Sequence, residues 1–324
     1  MIHTQKLART FKSGKDTIEA VKGIDLDVAE GELVAFLGPN GAGKSTTLRM
    51  LTSLLSPTSG TARVAGIDVT ADPAGVRQRI GYIGQKDGAG YNYRVRDELV
   101  MQGRFYGLSR EESARRGSEL LSSLDLEGME MRKVSSLSGG QKRRLDIALG
   151  LIHEPGLLFL DEPSTGMDPQ NRANLWEHIM RLREDRGTTI VLTTHYLEEA
   201  DTMAERVVVI DHGLIIADDS AAALKAEQAG DRISLTVAAA DVGTARAVIE
   251  PVGSELTEAV TSDGVRIGFR VDRATRTLPR LVHALGDKGV GVLEASAHQP
   301  TLDDVFLNLT GRSLREAVET GAEA

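Results

Sequence analysis

Residues 38–46 read Gly38-Pro-Asn-Gly-Ala-Gly-Lys-Ser-Thr46, and this stretch decides the fold of the chain. It fits the pattern G-x-x-x-x-G-K-[ST], a loop whose backbone N–H groups surround phosphate oxygens. A short apolar strand at 33–37 precedes the loop, and a stretch with helical spacing at 46–51 follows it. The order of strand, glycine loop and helix therefore predicts a phosphate site at the positive end of a helix.

Each residue type in this loop has a specific task. Lys44 is expected to reach the β- and γ-phosphates of a nucleotide, and the Ser45 hydroxyl is expected to ligate Mg²⁺. The other nucleotide-binding positions of the loop are predicted to be Gly38, Asn40, Gly41, Gly43 and Thr46.

The composition excludes several classes of protein. The chain has 324 residues, enough for one large or two ordinary domains, and it is 41% hydrophobic and 26% charged, as globular proteins are. A net charge of -9 and only 4% aromatic residues argue against a nucleic-acid binder, which would present a basic surface, so no nucleic-acid partner is expected. The lack of cysteine excludes disulfides and thiolate metal sites and suits a reducing cytoplasm.

Membrane contact is expected only through a partner or at the surface. No charged-then-apolar signal pattern follows Met1. In addition, no apolar run approaches the roughly 20 residues that a spanning helix needs.

Two patterns divide the chain. Up to about residue 225, short apolar strands alternate with helical stretches, which predicts a parallel-sheet α/β domain with a helical insertion at about 92–150. From 231 to 312 the predicted order is β-α-β-β-α-β, which indicates a small ferredoxin-like α+β domain. Its last helix is expected to begin after Thr301 and end at Gly311. Residues 313–324 are expected to form a tail.

Two acidic residues follow the apolar run at 157–160. Ligands of open α/β sheets bind beyond the carboxyl ends of the strands, so these acids are expected at the phosphate site. Asp161 is expected to hold Mg²⁺ opposite Ser45, and Glu162 to polarise the water that attacks the γ-phosphate. Either acid alone would fit a cap on the next turn, but both together after four apolar residues favour the catalytic interpretation.

A third motif, Leu137-Ser-Gly-Gly-Gln141, precedes another helical run. Ser138, Gly139 and Gly140 would leave backbone N–H groups free at the start of that helix, which predicts a second anion site. Ser-Gly-Gly alone is common in loops, but its position between the glycine loop and Asp161 makes it specific. With the three motifs in this order, residues 1–220 resemble the ATP-binding cassette (ABC) ATPases, which are P-loop NTPases.

This resemblance implies a shared site. In ABC ATPases residues equivalent to 137–141, including Gln141, form the signature motif, which binds the γ-phosphate of ATP held by the other subunit's Lys44. The resemblance therefore implies a head-to-tail homodimer that encloses two Mg·ATP, because neither half-site alone surrounds the phosphoryl group.

The resemblance also assigns four further positions. Gln85 would be the Q-loop glutamine near Mg²⁺ or water, His195 the switch histidine at the γ-phosphate, and Asp168 the D-loop aspartate that links the two sites. Taken alone, these would be a solvated loop residue, a polar residue that starts a helix, and an N-cap before a proline. Phe11 takes the position of a tyrosine that stacks on adenine in many members, with a place in the core as the alternative.

The segment Pro300-Thr-Leu-Asp-Asp-Val-Phe-Leu-Asn-Leu-Thr-Gly311 resembles the C-terminal motif of the daunorubicin-resistance type of drug-export ATPase. This implies an ATP-hydrolysing subunit that drives efflux of a drug-like or hydrophobic compound. The subunit would lie on the cytoplasmic side of the membrane, bound to a separate transmembrane permease. The alternatives are a soluble ABC ATPase acting on nucleic acid or ribosomes, which the single cassette and acidic balance disfavour, and an importer ATPase.

Two smaller expectations concern the helical insertion. Tyr91, Tyr93 and Tyr106 are expected beside the permease docking surface, with the core of the insertion as an alternative for Tyr106. The basic run at 142–144 is expected to be a solvated helix face.

Overall fold

A six-stranded sheet carries both the glycine loop and the acidic pair in the computed structural model, which describes residues 1–14 and 16–314. The chain divides into two compact units between Asp219 and Ser220. The strands of the first unit are β1 (Ile2–Ser13), β2 (Asp16–Val28), β3 (Leu33–Leu37), β4 (Ser59–Val64), β5 (Ile67–Asp68), β6 (Ile80–Ile83), β7 (Leu157–Asp161), β8 (Thr189–Thr194), β9 (Arg206–Asp211) and β10 (Leu214–Asp219). Its helices are α1 (Lys44–Leu51), α2 (Pro73–Arg79), α3 (Val95–Phe105), α4 (Arg110–Ser123), α5 (Gly139–Leu151), α6 (Pro169–Arg186) and α7 (Leu197–Met203).

The strand order of the main sheet is β10-β9-β3-β8-β7-β6. All neighbours run parallel except β10, which returns antiparallel from β9 through a tight turn. Every residue of β3, β7 and β8 is buried, and this explains why these strands are continuous apolar runs in the sequence. Because β8 lies between β3 and β7, the glycine loop after β3 and the acids that end β7 meet at one edge of the sheet.

A second sheet differs from the predicted alternation of strands and helices. Strands β1 and β2 pair as a long antiparallel hairpin, which joins β4 and β5 in a sheet of order β2-β1-β4-β5. Ile24, Leu26 and Val28 alternate with polar residues and are buried on one face, the pattern of a one-sided antiparallel strand. In β1 the register shifts between Thr4 and Leu7, which interrupts the alternation of apolar and polar residues. The strand is therefore hard to recognise in the sequence.

The helical insertion contains α3, α4 and α5. Gly117 of α4 lies so close to α3 that a Cβ there would be 3.2 Å from the Cβ of Leu99. The Ser109 hydroxyl caps α4 and accepts from the Glu112 N–H at 3.0 Å, as predicted.

The second unit starts with α8 (Ala221–Leu224) and continues with β11 (Asp231–Val237), α9 (Val242–Ile249), β12 (Ser254–Val260), β13 (Val265–Val271), α10 (Ala274–Asp287), β14 (Val292–His298) and α11 (Leu302–Thr310). The strands form an antiparallel sheet of order β12-β13-β11-β14. The element order from β11 to β14 is the predicted β-α-β-β-α-β. Thr301 caps α11, and Gly311 ends it with a φ of 77°. Of the predicted tail, residues 315–324 lie outside the described residues.

Candidate functional site

The glycine loop closes around the side chain of Lys44, the first residue of α1. Its ammonium group donates hydrogen bonds to the carbonyl oxygens of Gly38 and Pro39, at 2.6 and 2.9 Å. Burial lowers the pKa of Lys44, while the charges of Glu162 and Asp161 act in the opposite direction. The ammonium group therefore lies inside the loop, near the carboxylates of Asp161 and Glu162 at the carboxyl ends of the strands.

Two glycines of the loop are required by close backbone contacts. Gly43 has a φ of 107°, and a Cβ there would lie 2.5 Å from the carbonyl oxygen of Ala20 in β2. At Gly38 a Cβ would lie 2.1 Å from the carbonyl oxygen of Ile210 in β9. A side chain at either position would displace the backbone. The loop can therefore pack against β2 and β9 only with glycine at positions 38 and 43.

The Asp161 carboxylate collects the predicted metal ligands. Its Oδ1 atom accepts from the hydroxyls of Ser45 and Thr193, each at 2.8 Å, and the Gln85 amide donates to the Ser45 hydroxyl at 3.3 Å. The Asp161 Oδ2 atom is buried and has no hydrogen-bond partner among the described residues. A buried carboxylate oxygen without a partner, near the Ser45 hydroxyl and the Gln85 amide group, suits a hard divalent cation.

The second carboxylate, Glu162, lies against His195. The His195 Nδ1 atom is 3.4 Å from Glu162 Oε2, and Glu162 has a φ of 48°. The contact with His195, supported by the charge of Lys44, holds the pKa of Glu162 below its ordinary value in spite of burial. The side chain is therefore ionised at neutral pH, which is the form that a general base requires.

Thr193 organises both acids and was not predicted from the sequence. Its hydroxyl donates to Asp161 Oδ1 and accepts from the Glu162 backbone N–H at 3.0 Å. It lies directly opposite Asp161 in the pairing of β7 with β8. The sequence signal that could have identified Thr193 is its position near the carboxyl end of a buried strand.

The signature residues begin α5. The Ser138 hydroxyl accepts from the Gln141 N–H at 3.3 Å, and the Gln141 side chain accepts from the Ser138 N–H at 3.0 Å. This reciprocal pair is a capping box. Ser138 and Gly139 are exposed, so the positive end of α5 faces solvent.

Asp168 lies in a second cluster with the signature residues. It caps α6 by accepting from the Asn171 N–H at 2.9 Å, and the Asn171 side chain in turn packs against Gly140, where a Cβ would be 2.9 Å from Asn171 Oδ1. Hydrogen bonds from Asn171 hold the pKa of Asp168 below its ordinary value. The structure thus brings Lys44, Ser45, Gln85, Asp161, Glu162 and His195 into one cluster, and Gly140 and Asp168 into another.

Comparison with known proteins agrees with this geometry. The sequence model of the ABC transporter family matches residues 21–165. The chain is 41% identical to the daunorubicin resistance ATP-binding protein DrrA3 of Streptomyces coeruleorubidus, over 92% of this chain and 94% of that protein. The chain belongs to the ABC transporter family.

Other relatives of this ABC protein extend the comparison. The daunorubicin/doxorubicin resistance ATP-binding protein DrrA of Streptomyces peucetius is 40% identical, over 98% of this chain and 96% of the relative. The Nod factor export ATP-binding protein I of Paraburkholderia xenovorans is 36% identical, over 97% of this chain and 98% of that protein. A solved dimeric ATP-binding cassette in a post-hydrolysis state with ADP and Pi superposes with a TM-score of 0.63 and 28% identity, over 68% of this chain and 98% of that one.

Membership of the family defines the chemistry of the first unit. The chain is an ATP-binding and ATP-hydrolysing protein with the P-loop fold, as the sequence motifs predict. ABC cassettes function as dimers together with membrane permeases. Among the described residues, no helix is both long and apolar enough to cross a membrane.

The basic run on α5 is not a solvated face, contrary to the prediction. Arg143 is buried, and its guanidinium donates to the carbonyl oxygens of Gly84 at 2.6 Å and Pro163 at 2.7 Å. These carbonyls compensate for the desolvation that lowers the pKa of Arg143. The prediction was wrong because the partners of Arg143 lie in two segments distant in the sequence. The residues next to Arg143 in the chain therefore do not show that it is buried.

The aromatic candidates occupy different environments. Phe11 lies half-buried in β1, paired with Ile18 of β2, with the Arg9 guanidinium 4.7 Å from its ring centre, and so does not belong to the buried core. The Tyr106 ring stacks on His153 with centroids 3.6 Å apart. Tyr91 and Tyr93 are 64% and 55% exposed. Adenine stacking by Phe11 stays a prediction.

Proposed function

We propose that this protein is the ATPase subunit of an exporter, in which two copies bind two Mg·ATP head to tail and drive a separate membrane permease. The observation that carries the proposal is the division of the functional residues into two clusters. One cluster holds the lysine and the acids, and the exposed start of α5 belongs to the other. The exposed N-terminus of a helix can bind an anion. The γ-phosphate of ATP held by a second copy of the chain would be that anion, so each complete site would need residues from both copies.

The residues of the first cluster would divide the work as follows. Lys44 would exchange the carbonyls of Gly38 and Pro39 for phosphate oxygens. Glu162, held ionised by His195, would orient and polarise the attacking water. Mg²⁺ fits the free Asp161 oxygen with Ser45 and Gln85, and it would neutralise charge on the β- and γ-phosphates.

The exported compound is proposed to be drug-like or hydrophobic. The relatives named above are resistance and export proteins, and they align with nearly the whole chain. This supports an exporter over an importer or a soluble ABC ATPase acting on ribosomes or nucleic acid. The subunit would be peripheral, on the cytoplasmic side of the membrane, through its contact with the permease.

Two variants test the assignment of the site. Glu162→Gln removes the base but keeps the size of the side chain, so ATP binding should persist while turnover falls at least about 100-fold. Lys44→Ala should abolish tight ATP binding. Glu198→Gln, an exposed neighbour in α7, is the matched control and should retain full activity. Hydrolysis by Glu162→Gln at the wild-type rate would refute its role as base.

A complementation experiment tests the shared site. Lys44→Ala and Ser138→Arg should each be inactive as a homodimer. In a head-to-tail heterodimer both lesions fall in one site, and the other site keeps an intact Lys44 and Ser138. Mixing the two inactive proteins should therefore restore part of the activity, whereas a self-sufficient protomer predicts none. The exporter assignment itself requires that the chain co-purifies with a permease from native membranes, and failure to do so would contradict it.

A further inference from the structure

The sheet of the second unit ends at β14, an edge strand with one unpaired side. In the described part of the chain, β14 pairs with β11 alone, and no other hydrogen bond satisfies the backbone N–H and C=O groups on its outer side. All of its residues after Val292 are exposed. Such an edge offers a second chain a row of backbone donors and acceptors.

The opposite edge of the sheet, β12, has a feature that discourages pairing. Its register shifts between Ser254 and Thr257, and Glu255 has a φ of 53°, so the strand contains a bulge. In β14 the register shift lies at the start, before Glu294. Residues 294–298 then pair regularly and contain neither lysine nor proline. The edge that suits the addition of another strand is therefore β14.

The two faces of β14 carry different residues. Ala295 and Ala297 lie opposite Leu235 and Ile233 of β11, whose side chains are buried in the core that the helices of this unit cover. Both alanines are nevertheless exposed, because β14 is the last strand. The face of β14 on the helix side is thus small, apolar and uncovered.

The open face of β14 carries Glu294, Ser296 and His298. The Glu294 carboxylate accepts from Arg266 at 3.0 Å, and His298 Nε2 lies 3.6 Å from a carboxylate oxygen of Asp304. The side chains of Glu294 and His298 remain 61% and 63% exposed. Each can therefore accept a further partner from outside the chain.

This pattern is complementary to itself. Glu294 and His298 lie two positions before and after Ser296, on the same face. If two β14 strands pair antiparallel about a two-fold axis at Ser296, Glu294 of each copy lies opposite His298 of the other. An imidazole N–H can donate to a carboxylate in either protonation state. The same register places Ala295 opposite Ala297 of the other copy, so that the helix-side faces also match.

Other registers lose this match. A shift by one residue would place the helix-side face of one copy beside the open face of the other. A shift by two residues would place Glu294 opposite Ser296, and Val292 opposite His298. Complementarity of charge and of face therefore selects the register centred on Ser296.

We propose that β14 pairs with β14 of a second copy of this chain, antiparallel about Ser296, and joins the two four-stranded sheets into one. The contact is isologous and therefore closes at two copies. It lies in the second unit and needs no nucleotide. In the proposed head-to-tail dimer it would keep the two copies together while their ATP sites are empty, and only this consequence rests on the proposed function.

Disulfide cross-linking tests the contact in the full-length chain, which has no cysteine of its own. Directly opposite residues of an antiparallel pair have Cα atoms about 4.5–5.5 Å apart, within the range of a disulfide. Without nucleotide, mild oxidation of Ser296→Cys should give a covalent dimer. Ser254→Cys, an exposed position on the edge strand β12, is the matched control and should give about 10-fold less. Equal yields would overturn the proposal.

Two further variants test the register. Ala295→Cys and Ala297→Cys should cross-link to each other when mixed, and at least about 5-fold less when each is oxidised alone, because neither lies opposite itself. A disulfide between Ser296→Cys and Ser254→Cys, with products larger than dimers, would show that β14 pairs with β12 instead. That outcome would refute the isologous contact.

A charge exchange tests the Glu294–His298 pair. In the Ser296→Cys chain, Glu294→Lys and His298→Glu should each lower the yield of dimer about 10-fold, because each places like or unmatched groups opposite one another. The chain that carries both substitutions should regain the yield, since opposite charges then face each other again. This recovery excludes unfolding as the cause of the loss, and its absence would contradict the pairing.

The dependence on nucleotide separates this contact from the shared ATP site. Lys44→Ala should not bind ATP tightly, yet Ser296→Cys should cross-link equally well in that background. A loss of the cross-link there would show that the copies meet only through their ATP sites, and would overturn the proposal. Turnover by Glu162→Gln at the wild-type rate would refute the proposed base and leave the cross-linking result unchanged.

Discussion

Arg143 on α5 donates a hydrogen bond of 2.6 Å to the backbone carbonyl of Gly84, the residue before Gln85. The same guanidinium donates to the Pro163 carbonyl, immediately after Glu162. Because α5 begins at the signature motif, one buried side chain connects the signature helix with the segments that present the amide and the base. A guanidinium has the several fixed donors that this connection needs, whereas an ammonium is a single point of attachment.

Replacing Arg143 by lysine should therefore be damaging although it keeps the charge. We expect Arg143→Lys to lower kcat about 10-fold and the free energy of unfolding by about 2 kcal/mol, because buried carbonyls lose charged donors. Steady-state ATPase assays and urea unfolding measure the two effects. The control is Arg181→Lys, since Arg181 is half exposed and forms a surface pair with Glu177. Wild-type values for both quantities in Arg143→Lys would contradict the connection.

Glu199 joins two segments that follow the acidic pair. One carboxylate oxygen accepts from the Ser164 hydroxyl, and the other accepts from the Thr194 hydroxyl at 2.7 Å. Ser164 lies between Glu162 and Asp168, and Thr194 immediately precedes His195. The side chain is only 3% exposed, so water does not replace either bond.

Glu199→Gln should uncouple these segments, because an amide offers one acceptor oxygen where two hydroxyls donate. We expect kcat to fall about 10-fold and the KM for ATP to change little, because Glu199 makes no contact with Lys44 or Ser45. Glu198→Gln, next to it but exposed, should behave as wild type. If both variants hydrolyse ATP equally well, Glu199 does not position His195.

The raised pKa of Asp146 leads us to expect that the free energy of unfolding depends on pH in an unusual direction. Burial raises the pKa of Asp146 to about 6, although Arg143 and two backbone N–H groups act against this shift. The folded protein then binds a proton more tightly than the unfolded chain does. Stability that is present near pH 4 is therefore lost as the pH rises through 6, by up to about 3 kcal/mol.

Asp146→Asn should accordingly stabilise the protein at pH 7.5 and have little effect at pH 4. Urea unfolding of both proteins at the two pH values measures this difference. Equal destabilisation at both pH values would show instead that Asp146 serves only as a structural acceptor.

The sequence predicted the parts of the site that follow from local pattern. The glycine loop, the acids at the end of β7 and the caps at Ser109 and Thr301 each depend on residues adjacent in the chain, and the structure has these features where the pattern predicts them. Thr193, Arg143 and Glu199 were missed because their partners come from distant segments that meet only in the folded sheet. The N-terminal hairpin was missed because register shifts interrupt the two-residue period of β1.

The capping box of α11 offers a test within the second unit. The Thr301 hydroxyl accepts from the Asp304 N–H at 3.2 Å, and Asp304 accepts from the Thr301 N–H at 2.8 Å. Thr301→Ala should cost about 1 kcal/mol, because the Asp304 N–H in the first turn of the helix loses its acceptor. The same substitution at Thr277, inside α10, should be neutral or stabilising, since alanine is the better helix former there. Hydrogen exchange of the α11 amides gives the local measurement, and faster exchange in Thr277→Ala than in Thr301→Ala would contradict the capping role.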